Sequence, residues 1–177
     1  MNRRDSTPPT VRPATSSDLK AVADIYAHYV RHTVATFEET PPTLPDWERR
    51  LADLAGRGLP FFVAESSGAV IGFAYAGPWR PKPAYRFAVE DTLYLAPDAT
   101  GRGVGAALLE ALITESTRAG MRQMIAVVAD TGSEASLALH RRFGFTAAGH
   151  LVEVGHKHGR PVGTLLLQRS LSAGRSE

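Results

Sequence analysis

The sequence predicts a mixed α/β fold, and three observations lead there. Short, β-prone apolar runs come in groups of two or three. Windows with apolar residues at helical spacing separate these groups. One run leads through a glycine-rich turn into such a helical window, so the pattern is not strict strand–helix alternation. With 44% apolar and 21% charged residues over a length of 177, the composition is that of a globular protein. That length corresponds to one domain at about 150 residues per domain. We assign it to 11–171, with a flexible polar tail at 1–10 and another at 172–177.

Val11 to Pro13 opens a strand. Thr15-Ser16-Ser17-Asp18 has the spacing of a capping box, and Leu19, Val22, Ile25, Tyr26, Tyr29 and Val30 follow with helical periodicity. A loop from Thr33 to Pro42 carries Phe37, Glu38 and Glu39. Thr43 caps a second helix with Leu44, Trp47, Leu51 and Leu54, ended by Gly56 and Gly58. Pro60 to Glu65 and Val70 to Ala76 form a hairpin across Ser66-Ser67-Gly68-Ala69. A loop from Gly77 to Tyr85 holds Trp79 and three prolines. Then come a strand at Val89 to Leu95, a helix at Val104 to Ala119 ended by Gly120, and a strand at Met124 to Ala129. A short helix at Glu134 to Phe143 and two strands around Leu151 and Leu165 complete the order.

Composition excludes several chemistries. There is no cysteine, hence no disulfide, thiolate metal site or acyl-cysteine intermediate. No apolar stretch approaches the ~20 residues of a membrane helix. Met1 to Pro13 has three arginines but no apolar segment behind them, so no signal peptide is expected and the cytoplasm is the expected location. Lys20, Lys82 and Lys157 are the only lysines among 20 basic residues. The arginines are scattered between acidic residues, and the net charge is +2, so no nucleic-acid face is expected. His28 and His32 have metal-ligand spacing on one helix but lack a third ligand, so no metal is expected.

Thr100-Gly101-Arg102-Gly103-Val104-Gly105-Ala106 lies between a strand and a helix. Bare glycine amides and a helix N-terminus make this a natural seat for a pyrophosphate. No lysine follows a glycine, which excludes a P-loop. Gly101, Gly103 and Ala106 also fit a dinucleotide fingerprint, with Asp130 as its ribose acid. That reading ranks second, because Ala96 to Thr100 separates strand from turn and a hairpin precedes the motif.

Leu93-Tyr94-Leu95, the spacer Ala96-Pro97-Asp98-Ala99 and Gly101-Arg102-Gly103-Val104-Gly105 together resemble the acetyl-CoA motif of the GNAT superfamily of N-acetyltransferases. Leu139-His140-Arg141-Arg142-Phe143-Gly144-Phe145 resembles the later helix–turn motif of that superfamily. Gly77-Pro78-Trp79-Arg80, Ala84-Tyr85, Val89-Glu90 and Gly155-His156-Lys157-His158-Gly159 are similar to its phosphinothricin and methionine sulfoximine acetyltransferases. The resemblance implies a mostly antiparallel sheet of about seven strands, with one parallel pair splayed at the cofactor site and helices on its flanks. It implies acetyl-CoA as co-substrate, no metal, a small amine acceptor and a homodimer. Backbone groups of Leu93, Tyr94 and Leu95 would hold the pantetheine arm. Gly101, Arg102, Gly103, Val104, Gly105 and Ala106 would hold the pyrophosphate. Ser133 stands where an asparagine commonly touches the cofactor, and Thr100 where glutamine or arginine is usual. Pro161 and Gly163 replace a tryptophan and an aspartate of the pattern.

Acetyl transfer from a thioester requires a neutral amine, a donor for the developing oxyanion and a proton for the leaving thiolate. Glu90 is the expected base. Asp91 is expected on the opposite face, because strand side chains alternate. His140 occupies a position near the cofactor sulfur, as an acid or as the holder of a water. Phe37, Arg80 and Tyr85 are expected to hold the acceptor, and Lys157 to contact the acceptor or a partner subunit. The implied acceptors are phosphinothricin, methionine sulfoximine and methionine sulfone. The alternatives are another amine, such as a protein N-terminus or a polyamine, and a non-catalytic CoA- or dinucleotide-binding module.

Overall fold

The computed structural model describes residues 9–171. In chain order the elements are β1 (Thr10–Pro13), α1 (Leu19–His32), α2 (Leu44–Gly56), β2 (Phe61–Ser66), β3 (Ala69–Pro78) and β4 (Ala88–Leu95). Then follow α3 (Val104–Arg118), β5 (Gln123–Ala129), α4 (Glu134–Arg142), β6 (Thr146–Lys157) and β7 (Arg160–Ser170). The seven strands form one sheet in the order β1-β2-β3-β4-β5-β7-β6. Every pairing is antiparallel except that of β4 with β5. Residues 1–8 of the tail assigned at 1–10, and the tail at 172–177, lie outside the described residues. Thr10, placed in the N-terminal tail above, instead begins β1 and pairs with Glu65.

Two cores cover the two faces of the sheet. On one face Leu108, Leu109 and Leu112 of α3 pack with Val89, Met124 and Leu167. On the other, Leu19 and Val22 of α1 and Trp47 of α2 pack with Phe61, Val63 and Phe73. Burial of side chains this large contributes about 1.5–3 kcal/mol each before entropy is counted. The capping box at Thr15 is present, but it closes a single 3-10 turn at Ser16–Asp18, and the α-helix begins at Leu19. Asp18 is diverted into this turn because Arg12 of β1 grips its carboxylate with two 2.8 Å bonds while also reaching Glu65.

Strand β3 runs to Pro78, two residues beyond the expected end, because Gly77 and Pro78 still pair with Glu90 and Val89. The spacer after β4 holds a 3-10 turn at Pro97–Ala99. The feature that matters most for chemistry is how little of β4 meets β5. Their pairing covers only Ala88, Val89 and Glu90 against Gln123, Met124 and Ile125. Meanwhile β4 stays on β3 out to Leu95, and β5 stays on β7 out to Ala129. Past Glu90 the two strands part and leave a wedge in the sheet.

Candidate active site

Backbone direction in the wedge follows from its flanking hydrogen bonds. Ala96 N–H donates to Ile71 O on β3 at 2.9 Å, and Ala88 O accepts from Trp79 N–H at 3.1 Å. On the other side Phe87 O accepts from Arg122 N–H at 2.8 Å. Backbone groups alternate along a strand, so Asp91, Leu93 and Leu95 turn theirs into the wedge. The same alternation on β5 turns Val127 and Ala129 towards it, since Asp130 N–H donates to Gly163 O on β7. Two of these groups are already satisfied: the pairing of Glu90 with Ile125 commits the Asp91 N–H to β5, and the Tyr29 hydroxyl of α1 donates to Leu95 O at 2.6 Å. The remainder form an unfilled strand edge, which an extended amide-bearing ligand can complete by strand addition.

At one end of the wedge stands the N-terminus of α3. Gly103 is its cap, with φ +79°, and Gly101 has φ +72°. A side chain on either would meet nothing within 4 Å, so it is the left-handed backbone that favours glycine here. The first amides of α3 have no helical partner and carry the positive end of the helix dipole. Gly101, Gly103, Gly105 and Ala106 line one groove of about 560 Å³ with Leu93, Tyr94 and Leu95. Thr100, Ser133, Glu90 and His140 line the same groove. Arg102 is exposed, and the Val104 side chain is buried in the core, which leaves its amide as its polar contribution. The unfilled strand edge and the anion seat together fit a thioester-bearing pantetheine arm and its pyrophosphate.

Glu90 and Asp91 lie on opposite faces of β4, as expected. Burial pushes the Glu90 carboxyl above its ordinary value, the neighbouring Asp91 charge adds to this, and Arg80 opposes it. On the other face Asp91 Oδ2 meets His140 Nε2 at 2.7 Å, with side chains only 2% and 6% exposed. His140 Nδ1 donates to Ser136 O at 2.7 Å, and the ring packs edge-on to Phe145. Burial pulls this imidazole down, but the bond and charge of Asp91, with the Ser136 carbonyl, outweigh it and raise it overall. Strand alternation places Asp91 on this face but gives no sign of its partner, which lies 49 residues away on α4.

The expected acceptor residues are not gathered at this groove. Arg80 stacks on Trp79 at 4.6 Å and lines a separate concavity of about 600 Å³ with Tyr85, Lys82 and Arg86. Phe37 lies on the bare backbone of Gly155 in β6. Its loop is tied down by Lys157, a buried residue whose Nζ donates to Thr36 O at 2.7 Å. Asp130, the acid of the dinucleotide alternative, does not line the groove. It accepts from Gly163 N–H at 3.1 Å and pairs with His150 at 2.8 Å. A side chain at 163 would overlap this carboxylate, which explains the glycine there. His28 and His32 face each other at 5.1 Å, and no cluster of three or more potential ligands occurs among the described residues.

Residues 22–145 match the acetyltransferase (GNAT) family. The chain is 49% identical over 165 residues to a phosphinothricin N-acetyltransferase of Alcaligenes faecalis, covering 93% of this chain and 84% of that protein. It is 36% identical over 168 residues to an L-methionine sulfoximine/L-methionine sulfone acetyltransferase of Pseudomonas aeruginosa, covering 94% and 97%. The fold matches, at a TM-score of 0.90 and 44% identity, the crystal structure of a phosphinothricin acetyltransferase of Sinorhizobium meliloti in complex with acetyl-CoA. That match covers 97% of this chain and 92% of the other. With the wedge and the anion seat in place, the chain belongs to the GNAT family, as a phosphinothricin acetyltransferase-like N-acetyltransferase that takes acetyl-CoA as its donor.

Proposed function

We propose that the protein moves the acetyl group of acetyl-CoA directly to the α-amino group of a small amino acid analogue of the phosphinothricin, methionine sulfoximine or methionine sulfone type. The observation that carries the mechanism is Glu90, half-buried at the point where β4 leaves β5, with its carboxyl raised by burial. Glu90 takes the proton of the incoming ammonium group, directly or through water. A carboxylate raised above its usual range is a better base near neutral pH than an exposed one. The wedge-facing amide of Leu93 is the donor available for the developing oxyanion. The relatives' activities support the acceptor class. A homodimer is part of the same proposal, and Leu151, Val152 and Val154, all exposed on the edge strand β6, favour it. We place the enzyme in the cytoplasm.

The test is thiol release from acetyl-CoA, read with a colorimetric reagent to which a cysteine-free protein adds no background. Phosphinothricin, methionine sulfone, a polyamine and a short peptide are offered in parallel. Release with the first two alone is the expected result. Release only with the polyamine or the peptide would replace the acceptor, and release with none would overturn the activity. Elution in gel filtration at the 19.0 kDa monomer mass would contradict the dimer.

A further inference from the structure

The wedge divides the sheet into two halves, β1 to β4 on one side and β5, β7 and β6 on the other, whose strands are hydrogen-bonded to each other through three residue pairs. A second link crosses the open end of the wedge, and it comes from the loop after α1. Val34 is buried there against Ala129 at the end of β5 and Val162 of β7. One residue on, Ala35 O accepts from the Tyr94 hydroxyl of β4 at 3.1 Å. Thr36 is buried too, and its hydroxyl shares a 2.6 Å hydrogen bond with that of Tyr26 on α1. The Thr36 carbonyl accepts from Lys157 Nζ at the end of β6, and Phe37 lies on Gly155 of the same strand. At the start of the loop Thr33 O accepts from His158 Nε2 at 3.2 Å. Residues 33–37 are thus tied to both halves of the sheet. Ala35 also lines the groove, together with Leu93 to Leu95 of β4 and Val127 to Ala129 of β5.

We propose that residues 33–37 are a strap that fixes the width of the wedge, and that Lys157 is a positioning residue which, by holding Thr36, keeps the groove wall at the spacing the pantetheine arm of acetyl-CoA needs. An extended arm lying between two strands takes up two inter-strand spacings, about 9.6 Å in all. Three pairs of a parallel ladder are a short hinge for strands that part beyond them, and the wedge-facing backbone groups past that hinge make no ladder of their own. The strap supplies the missing restraint. Val34 seats on the far half, the Tyr94 hydroxyl holds the near half, and Lys157 anchors the residue next to both. Burying an ammonium group costs free energy unless a partner compensates it, and the partner that Lys157 finds is the strap carbonyl. Lys157 does not line the groove, so it acts on the ligand through Thr36 and Ala35. The anion seat from Gly101 to Ala106 takes no part in these ties, which separates the arm of the donor from its pyrophosphate. The inference rests on acetyl-CoA as the donor, and not on the acceptor or the base proposed above.

The test is calorimetry on the full chain with two ligands: acetyl-CoA, and adenosine 3′-phosphate 5′-diphosphate, which keeps the nucleotide and pyrophosphate but lacks the arm. Lys157→Met keeps the aliphatic stem and removes the ammonium. It is expected to weaken acetyl-CoA about 10-fold, the loss of one hydrogen bond from a charged group. The armless nucleotide should change by less than about 2-fold, because its seat is remote from the tie. In the same variant amide hydrogen exchange at 33–37 is expected to quicken at least about 10-fold, while β7 stays protected. Tyr94→Phe unties the strap from the near half and leaves every backbone group of β4 in place; acetyl-CoA should weaken there by about 3-fold. Unchanged acetyl-CoA affinity in Lys157→Met overturns the inference, and so does an equal loss for both ligands. Should Lys157→Met not fold, Tyr94→Phe decides alone, and unchanged acetyl-CoA affinity in it overturns the strap. A wild-type protein that binds neither ligand overturns the donor itself, on which the inference rests.

Discussion

Glu90 and Asp91 are adjacent carboxylates on one strand, and the wedge gives them opposite surroundings. Glu90 faces the α1 and α2 side, half-buried, with its charged form disfavoured by burial and by its neighbour. Asp91 faces the α3 and α4 side, almost fully buried, and is compensated by a histidine at 2.7 Å. The first is a carboxyl whose charged form its surroundings disfavour; the second is a carboxyl with a close hydrogen-bonding partner. A difference of one residue separates them because side chains alternate along a strand while the backbone continues. Burial alone therefore does not set the role of a carboxylate; the partner it finds does.

The largest expected effect breaks this comparison at its reactive side. Glu90→Gln lowers kcat for acetyl transfer on the order of 10²-fold or more, while calorimetry finds acetyl-CoA affinity unchanged. Next come the stability effects, which differ in sign between the two positions. Asp91→Ala strips the partner from a buried imidazole and lowers the unfolding free energy by about 3 kcal/mol in denaturant melts. Asp91→Asn keeps a hydrogen bond and loses only about 1 kcal/mol. Glu90→Gln raises the melting temperature at pH 7 by a few degrees, by removing a charge that burial disfavours. The sign follows from linkage: a carboxyl raised in the folded state favours folding when protonated, and that benefit is lost as pH rises through its folded value. Equal losses at both positions would end the distinction.

The smallest effect uses a third carboxylate as a control, far from the wedge. The Arg12 guanidinium, assisted by Thr15, holds Asp18 down at about 2 against burial. Here the linkage runs the other way. The stability that Asp18 contributes is present above about pH 4 and is lost as pH falls through about 2. Thermal melts between pH 5 and pH 2 are expected to show this loss in the wild type and a shallower one in Asp18→Asn.

Local rules made much of the fold legible. Capping at Thr43, helical periodicity from Leu19 and the strand–glycine–helix passage before Val104 each depend on neighbours in sequence, and each found its place. The extension of β3 to Pro78 was hidden because it depends on pairing with β4. The site divides in the same way. Glu90, Leu93 to Leu95 and the glycine turn fall together, since one strand and one turn carry them all. His140 reaches the groove from α4, where the family motif placed it, yet its bond to Asp91 spans 49 positions and exists only after α4 docks on the sheet. Phe37, Arg80 and Tyr85 carried no such local constraint, and they sit outside the groove, on a loop and a concavity of their own. Asp130 follows β5 as the dinucleotide pattern asks, but the gap at Gly163 draws its carboxylate away.

The most direct test of Glu90 as the base is the pH dependence of kcat/KM for acetyl transfer in the wild type and in Glu90→Gln. The wild type is expected to lose activity on the acid side through a single limb displaced above the ordinary carboxylate range, in keeping with the raised Glu90 carboxyl. The residual activity of Glu90→Gln is expected to lack that limb. An identical acid limb in both proteins would contradict the account and assign the base to another group.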